Sequence, residues 1–137
     1  MSRELLLEQM AEEMDRLRRA LGQHWGPLTR SQYTLMRELL QGPVTVGSLA
    51  GRLGISTAGV TRMVDKLEAK GYVRRTRHTD DLRLVSAGLT PSGEEDWRDA
   101  HQDYVTRVGT LMSGLSADQL QTLLGLLQSL SGQVSPP

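Results

Sequence analysis

The stretch GISTAGVTRMVDKLEAKGYVRR, residues 54–75, decides the fold. Between Gly54 and Gly71 it has the length and apolar spacing of a helix, yet that helix opens on Ser56, Thr57, Ala58 and Gly59. Gly in a helix interior costs up to ~1 kcal/mol relative to Ala, and Thr is a poor helix former. Stability alone would place Leu, Glu or Lys there. A start that is small, polar and uncharged suits a helix end that another molecule must approach closely.

The preceding residues supply the other half of the motif. Val46–Leu53 reads as a short helix with Thr45 as N-cap, and Gly54 gives the turn into a second helix capped by Ser56. Ala50 is small enough for a close crossing, Val60 presses into the first helix, and Leu49, Leu53, Ile55 and Met63 complete the expected shared core. This is the pattern of a helix-turn-helix. On the helical wheel Val60, Met63, Val64 and Leu67 share one face. Ala58, Arg62, Asp65 and Ala69 point away, flanked by Thr57, Thr61 and Lys66. Solubility does not explain an exposed face of Ala, Thr and Arg, whereas close fit to a DNA major groove does. Small side chains let the N-terminal amides and the Ser56 and Thr57 hydroxyls reach phosphates, aided by the helix dipole. Arg62 is placed to bond a guanine edge.

Downstream the apolar period changes from 3.6 to 2. The helix is expected to end near Lys70 with Gly71 just beyond it. Val73 begins a strand, Val85, Ala87 and Leu89 alternate with Leu84, Ser86 and Gly88 in its partner, and residues 76–82 form a projecting loop. Arg75, Arg77, His78 and Arg83 surround the hairpin tip, with Asp80 and Asp81 among them. An acid beside an arginine can hold it for insertion into a minor groove, and narrow minor grooves attract arginine. Helix-turn-helix plus hairpin makes a winged helix.

The flanks are helical. Residues 3–21 carry the heptad-like seam Leu7, Met10, Met14, Leu17 and Leu21, stopped by Gly22, Gly26 and Pro27. A second helix over 28–42 starts with capping-box spacing at Thr29 and Gln32 and buries Leu35, Met36, Leu39 and Leu40. Thr90–Pro91 opens a fifth helix with the stripe Trp97, His101, Tyr104, Val108, Leu111 and Leu115. Ser116 and Gln119 open a sixth, with Leu120, Leu123, Leu124, Leu127 and Leu130. The expected fold class is mainly α with a small β-hairpin wing. An N-terminal helix covers 1–22, a winged helix-turn-helix 28–93 and C-terminal helices 94–131, and 132–137 reads as a disordered tail.

The 137-residue chain has zero net charge, which at first argues against a nucleic-acid partner. Its distribution argues otherwise: residues 52–83 hold eight Lys or Arg and four acids, a net +4, and the rest carries −4. A neutral protein with one basic segment suits a polyanion reader that avoids indiscriminate sticking. No Cys is present, which excludes disulfides and thiol chemistry, and the three His are scattered, so no metal or other cofactor is expected. No apolar run approaches a membrane span and no export signal is evident, so a cytoplasmic location is expected.

From Leu28 to Gly93 the sequence resembles the MarR family of bacterial transcriptional regulators. The resemblance is carried by LTRSQYTLMRELL, GPVTVGSLAGRLGIS, VTRMVDKLEAKGYVRR, DDLR and LTPSG, with Asp81, Arg83, Leu89–Thr90 and Gly93 in the family's wing frame. It implies a cytoplasmic homodimer that binds double-stranded DNA at a pseudo-palindromic operator, most often as a repressor. The implied DNA-facing set is Thr45, Ser56, Thr57, Ala58, Thr61, Arg62 and Lys66 from the helices, and Arg75, Arg77, Asp81 and Arg83 from the wing. Arg83 enters the minor groove and Asp81 holds it. The implied dimer helices carry Leu7, Met10, Met14, Leu17, Leu120, Leu124 and Leu127, although packing within one subunit is an alternative for part of this set. Many members release DNA when a small anionic or phenolic effector binds between the dimer helices and the DNA-binding lobe. His24, Trp25 and Arg37 are the candidates for that role, with plain packing of a helix end as the alternative. Three positions depart from the family pattern: Leu82 where the wing tip is often basic or polar, Ser48 in place of a frequent Glu, and Gly59 inside the recognition helix.

An enzyme is disfavoured, since the chain has no Gly-rich phosphate loop, nucleophile elbow or metal-ligand spacing. The rival reading is a winged-helix protein-interaction module without a DNA role. It would leave Arg62 and Arg83 dispensable and binding insensitive to salt.

Overall fold

The computed structural model describes residues 1–134. Its elements run α1 (Arg3–Leu21), β1 (His24–Trp25), β2 (Leu28–Thr29), α2 (Arg30–Arg37), β3 (Val44–Thr45), α3 (Val46–Leu53), α4 (Thr57–Ala69), β4 (Val73–Arg77), β5 (Val85–Leu89), α5 (Pro91–Leu111) and α6 (Ala117–Ser131). Among the described residues, no helix is long and apolar enough to cross a membrane.

Local chemistry sets most of these boundaries. Five of the six helices open on a Ser or Thr whose hydroxyl accepts the amide three residues on, at Ser2, Thr29, Thr45, Ser56 and Thr90, and Ser116 caps the sixth in the same way. Each satisfies an amide that the helix leaves without a carbonyl partner. Thr29 and Ser116 form complete capping boxes with Gln32 and Gln119. Gly54 ends α3 in the left-handed conformation at φ 66°, where a Cβ is strained.

The core joins α2, α3, α4 and the sheet. Leu28, Leu35, Met36, Leu49, Val60, Val64 and Leu67 are fully buried, and Val73 and Ala87 close the sheet side. Each such Leu, Val or Met contributes roughly 1.5–3 kcal/mol relative to exposure. A second, aromatic part lies against α5. Tyr33 stacks on Trp97 at 5.1 Å between centroids, Trp97 on His101 at 4.8 Å, and Trp25 meets Tyr33 edge-on at 5.0 Å. The Trp97 indole N–H donates to the Tyr33 carbonyl at 3.1 Å, and the Trp25 indole N–H donates to the Leu21 carbonyl at 2.7 Å. These bonds join α5 and the end of α1 to the winged helix.

The wing is a three-stranded antiparallel sheet in the order β3-β5-β4, with Val44 opposite Ala87 and Arg75 opposite Ala87 on the other side. Its return into α5 is tight. Thr90 N–H donates to the Tyr72 carbonyl at 3.0 Å, and a Cβ on Gly93 would stand 2.1 Å from that same oxygen. Only Gly fits there, which gives the LTPSG motif its physical reason.

Several expectations are corrected. Ile55 is 41% exposed and lies outside the shared core, because Gly54 turns the chain outward before Ser56 caps α4. The strand β4 continues through Arg77, so the hairpin loop spans 78–84 instead of 76–82. Ser86, expected on the polar side of its strand, is buried because its hydroxyl bonds His78 Nε2 at 2.7 Å. The regular α2 ends at Arg37, and turns carry the chain to Gly42. Short strands β1–β2 and β3 form where only helix stops and a cap were read. Of the tail, Gly132–Val134 continue as turn and bend, and 135–137 lie outside the described residues.

Helices α1 and α6 bury no residue of their own. Leu7, Met10, Met14 and Leu17 on α1, and Leu120, Leu124 and Leu127 on α6, are all exposed.

Candidate nucleic-acid interface

The N-termini of α3 and α4 open onto one cleft, closed on the far side by the wing. The cleft encloses about 800 Å³ and is lined by Thr45, Val46, Gly47, Thr57, Thr61, Asp65, Arg75, Arg77, Arg83, Leu84 and Val85. Six of the predicted DNA-facing residues therefore share a single cavity: Thr45, Thr57, Thr61, Arg75, Arg77 and Arg83. Val46, Gly47, Leu84 and Val85 were not singled out from sequence, since their membership depends on how the wing folds over α3.

The hydroxyls have distinct capacities. Ser56 Oγ accepts from Gly59 N–H at 3.0 Å and Thr45 Oγ1 accepts from Ser48 N–H at 3.2 Å. Each keeps its own O–H free to donate to an anion. Thr61 differs, because its O–H already donates to the Thr57 carbonyl at 2.9 Å and only its oxygen and methyl remain available. Gly59 also has a local role, since a Cβ there would lie 3.2 Å from the Ser56 hydroxyl oxygen. Ala58, Arg62 and Lys66 are exposed, and among the described residues neither Arg62 nor Lys66 makes an ion pair.

Asp81 holds Arg83. Arg83 Nε donates to Asp81 Oδ1 at 3.1 Å, Nη2 donates to Oδ2 at 3.2 Å, and the Arg83 backbone N–H donates to Oδ1 at 3.0 Å. The Arg83 side chain, then its amide, hold the Asp81 carboxyl below the usual carboxylate range. The Arg83 side chain is nonetheless 91% exposed. Its direction is constrained while its outer edge stays open.

Arg75 sits differently from the other wing cations. Its guanidinium pairs with Asp65, donates to Glu68 Oε1 at 3.1 Å and donates to the Thr61 carbonyl at 3.1 Å. At 28% side-chain exposure it is a strap between β4 and α4. Arg77 donates to the Leu82 carbonyl across the wing loop.

A second pocket of about 460 Å³ lies between α1, α2, α5 and α6. Arg18, Arg30 and Arg37 line it with Trp25, Tyr33 and Tyr104. Of the three candidate effector residues, Trp25 and Arg37 reach it, but His24 is exposed elsewhere. Trp25 is only 4% exposed, so it is chiefly a packed core ring. Arg37 lies over the Tyr33 ring at 4.9 Å and donates to the Tyr33 hydroxyl, which also shares a hydrogen bond with His101 Nδ1 at 2.7 Å, its direction set by the imidazole tautomer. Burial raises the Tyr33 pKa, partly opposed by Arg37, so the phenol remains a donor at neutral pH. Sequence reading missed Arg30 and Tyr33 because their convergence with α5 spans more than sixty residues of chain.

Comparison with known proteins agrees with this geometry. The MarR family model matches residues 28–85. The uncharacterized HTH-type transcriptional regulator YkoM of Bacillus subtilis is 33% identical over 64% of this chain, which spans 57% of that protein. A second regulator of that organism, YhbI, is 36% identical over 76% of the chain and 68% of its own length. The crystal structure of apo MarR from E. coli superposes with a TM-score of 0.76 at 27% identity, covering 95% of this chain and 96% of that one. A MarR mutant complexed with operator DNA superposes with a TM-score of 0.68, over 93% and 91% of the two chains. Motifs, winged helix and relatives converge: this chain belongs to the MarR family.

Proposed function

We propose that the protein is a DNA-binding transcriptional regulator that acts in the cytoplasm as a homodimer, repressing from a pseudo-palindromic operator. The observation that carries this reading is the shared cleft, where two helix N-termini face an arginine-bearing wing. Helix α4 enters a major groove, where Ser56, Thr57 and Ala58 allow close approach and Arg62 bonds a guanine edge. Such a contact is worth ~1–3 kcal/mol of discrimination. Arg83, steadied by Asp81, enters the adjacent minor groove. Arg75 sets the wing against α4 and is not itself a phosphate contact, which revises its assignment from sequence. The E. coli MarR structure with operator DNA supports the docking by its similarity.

Dimerisation follows from the bare apolar faces of α1 and α6. An isolated helix of α1's length is marginal in water, and α1 buries no residue within its own chain. A second copy covering Leu7, Met10, Met14, Leu17, Leu120, Leu124 and Leu127 removes that cost. It also sets two recognition helices about 34–36 Å apart. The pocket formed by Arg18, Arg30, Arg37, Trp25, Tyr33 and Tyr104 takes an anionic or phenolic effector, whose binding releases the DNA.

Fluorescence anisotropy on DNA from upstream of the protein's own gene, against a scrambled duplex across a salt series, tests the reading. Tight, salt-dependent binding that prefers the native duplex is expected. Absence of binding to either duplex at low salt would favour the protein-interaction module.

A further inference from the structure

The tip of the wing carries an apolar side chain with no intramolecular use. Leu82 is 64% exposed and Leu84 is 42% exposed. They sit in a turn closed by Leu84 N–H donating to the Asp81 carbonyl at 3.0 Å. Turns favour Gly, Pro, Asn, Asp and Ser, each for a conformational reason that Leu does not supply. One exposed Leu is ordinary on a protein surface. This one is informative because of its setting.

The backbone around it is already ordered. Arg77 Nη1 donates to the Leu82 carbonyl, the Arg83 amide donates to Asp81 Oδ1 at 3.0 Å, and His78 N–H donates to the Leu84 carbonyl at 3.0 Å. The Leu82 side chain is thus held out from a braced turn, beside a guanidinium whose direction Asp81 constrains. Leu84 lines the same cleft as α4 and the wing arginines. Apolar atoms gain nothing from phosphates. The apolar surface within reach of a wing in a minor groove is the deoxyribose walls and, at a flexible step, the exposed edge of a base pair. Minor-groove proteins place Leu and other apolar side chains at such base steps.

We propose that Leu82 is an apolar minor-groove contact of the wing, lying against the deoxyribose edges beside Arg83. Beside the charge of Arg83, it adds to the operator flank a reading by groove width and step flexibility. The proposal rests on the DNA-binding reading above. A Lys at this position would gain a phosphate on any sequence. Leu gains only where the groove admits it, which favours deformable pyrimidine–purine steps over stiff, narrow A-tracts.

The test starts from duplexes that the wild-type protein enriches from a random pool. Failure to enrich any sequence overturns the DNA-binding reading itself. On an enriched duplex, hydroxyl-radical footprinting reads access to the deoxyribose hydrogens. Leu82→Ala is expected to lose sugar protection only at the two flanks and to bind about tenfold more weakly per dimer, given the apolar contact removed. Its salt dependence stays that of wild type. Leu82→Lys is expected to regain affinity, steepen the salt slope by about 0.9 per added phosphate contact, and lose preference among flanks. Wild-type footprint and affinity in Leu82→Ala overturn the proposal, and so does a Leu82→Lys variant that keeps the wild-type flank preference.

Discussion

Arg75 and Glu68 meet twice: the Arg75 guanidinium donates to Glu68 Oε1 at 3.1 Å, and its backbone N–H donates to Oε2 at 3.1 Å. One carboxylate thus fixes both the start of the wing and the side chain that straps it to α4. Asp65 and the Thr61 carbonyl both accept from Arg75 Nη2. A single exposed ion pair contributes ~0–1 kcal/mol, but a forked, partly buried network has geometric value beyond that.

Arg75→Ala is therefore expected to weaken DNA binding on all sequences while leaving the salt slope unchanged, with a loss of about 1 kcal/mol in stability. Arg75→Lys recovers only part, because an ammonium cannot reproduce the fork. A salt slope reduced by about one per wing would instead return Arg75 to the phosphate contacts.

In the proposed function, Arg62 serves base reading and Arg83 wing grip, and substitutions separate the two. Arg62→Ala is expected to relax preference at one base pair of each half-site by ~1–3 kcal/mol. Arg83→Ala lowers affinity more broadly and flattens the salt dependence. Binding-site selection with each variant, followed by titration at several salt concentrations, distinguishes the two. Wild-type affinity in both variants would remove α4 and the wing tip as the reading surface.

Replacing Leu7 and Leu17 with Lys places two charges on the bare face of α1. Sedimentation velocity is expected to show monomers, with little remaining affinity for a two-half-site duplex. A fully dimeric variant would move the interface to α6.

Gly93→Ala is the most damaging small substitution expected, since its Cβ would stand 2.1 Å from the Tyr72 carbonyl oxygen. Backbone cannot yield as a side chain does, so a loss of at least ~1–3 kcal/mol in urea unfolding follows. The nearby Ser92→Ala, on an exposed position, serves as control and should unfold as wild type does.

Asp103 gives the acid limb of stability a specific origin. The Gly26 amide donates to its Oδ2 at 2.7 Å, and this bond, then Arg107, lowers its pKa. A carboxylate with a lowered folded pKa stabilises above its unfolded value of about 3.9, and that contribution disappears as pH falls through the folded pKa. Asp103→Asn is expected to be less stable at neutral pH and to lose less on acidification below about pH 4. Thermal unfolding across pH for both proteins checks the sign. Parallel acid limbs would show that other carboxylates dominate.

The legible part of this protein was the part whose chemistry closes within a few residues. Ser56 reaches Gly59, Thr45 reaches Ser48, Thr29 and Gln32 cap each other, and Asp81 reaches Arg83 two positions on. Such contacts need no knowledge of the rest of the chain, so caps, helix starts and the bracing of the wing tip follow from residue order alone. The buried stripe of Val60, Val64 and Leu67 follows from helical periodicity in the same way.

Where the requirement is met from across a loop or from another element, residue order carried no sign of it. Val44 and Thr45 became a strand only because β5, some forty residues later, left an edge with open backbone groups to pair. His78 made Ser86 a buried residue, Asp65 and Glu68 turned Arg75 from a surface cation into a strap, and Tyr104 drew Trp25 into the core. By itself the sequence determined the winged helix, the exposed face of α4 and the Asp81–Arg83 pair. The tertiary structure decided which cations stay free for a partner, because that depends on which acids and carbonyls packing brings within hydrogen-bond distance.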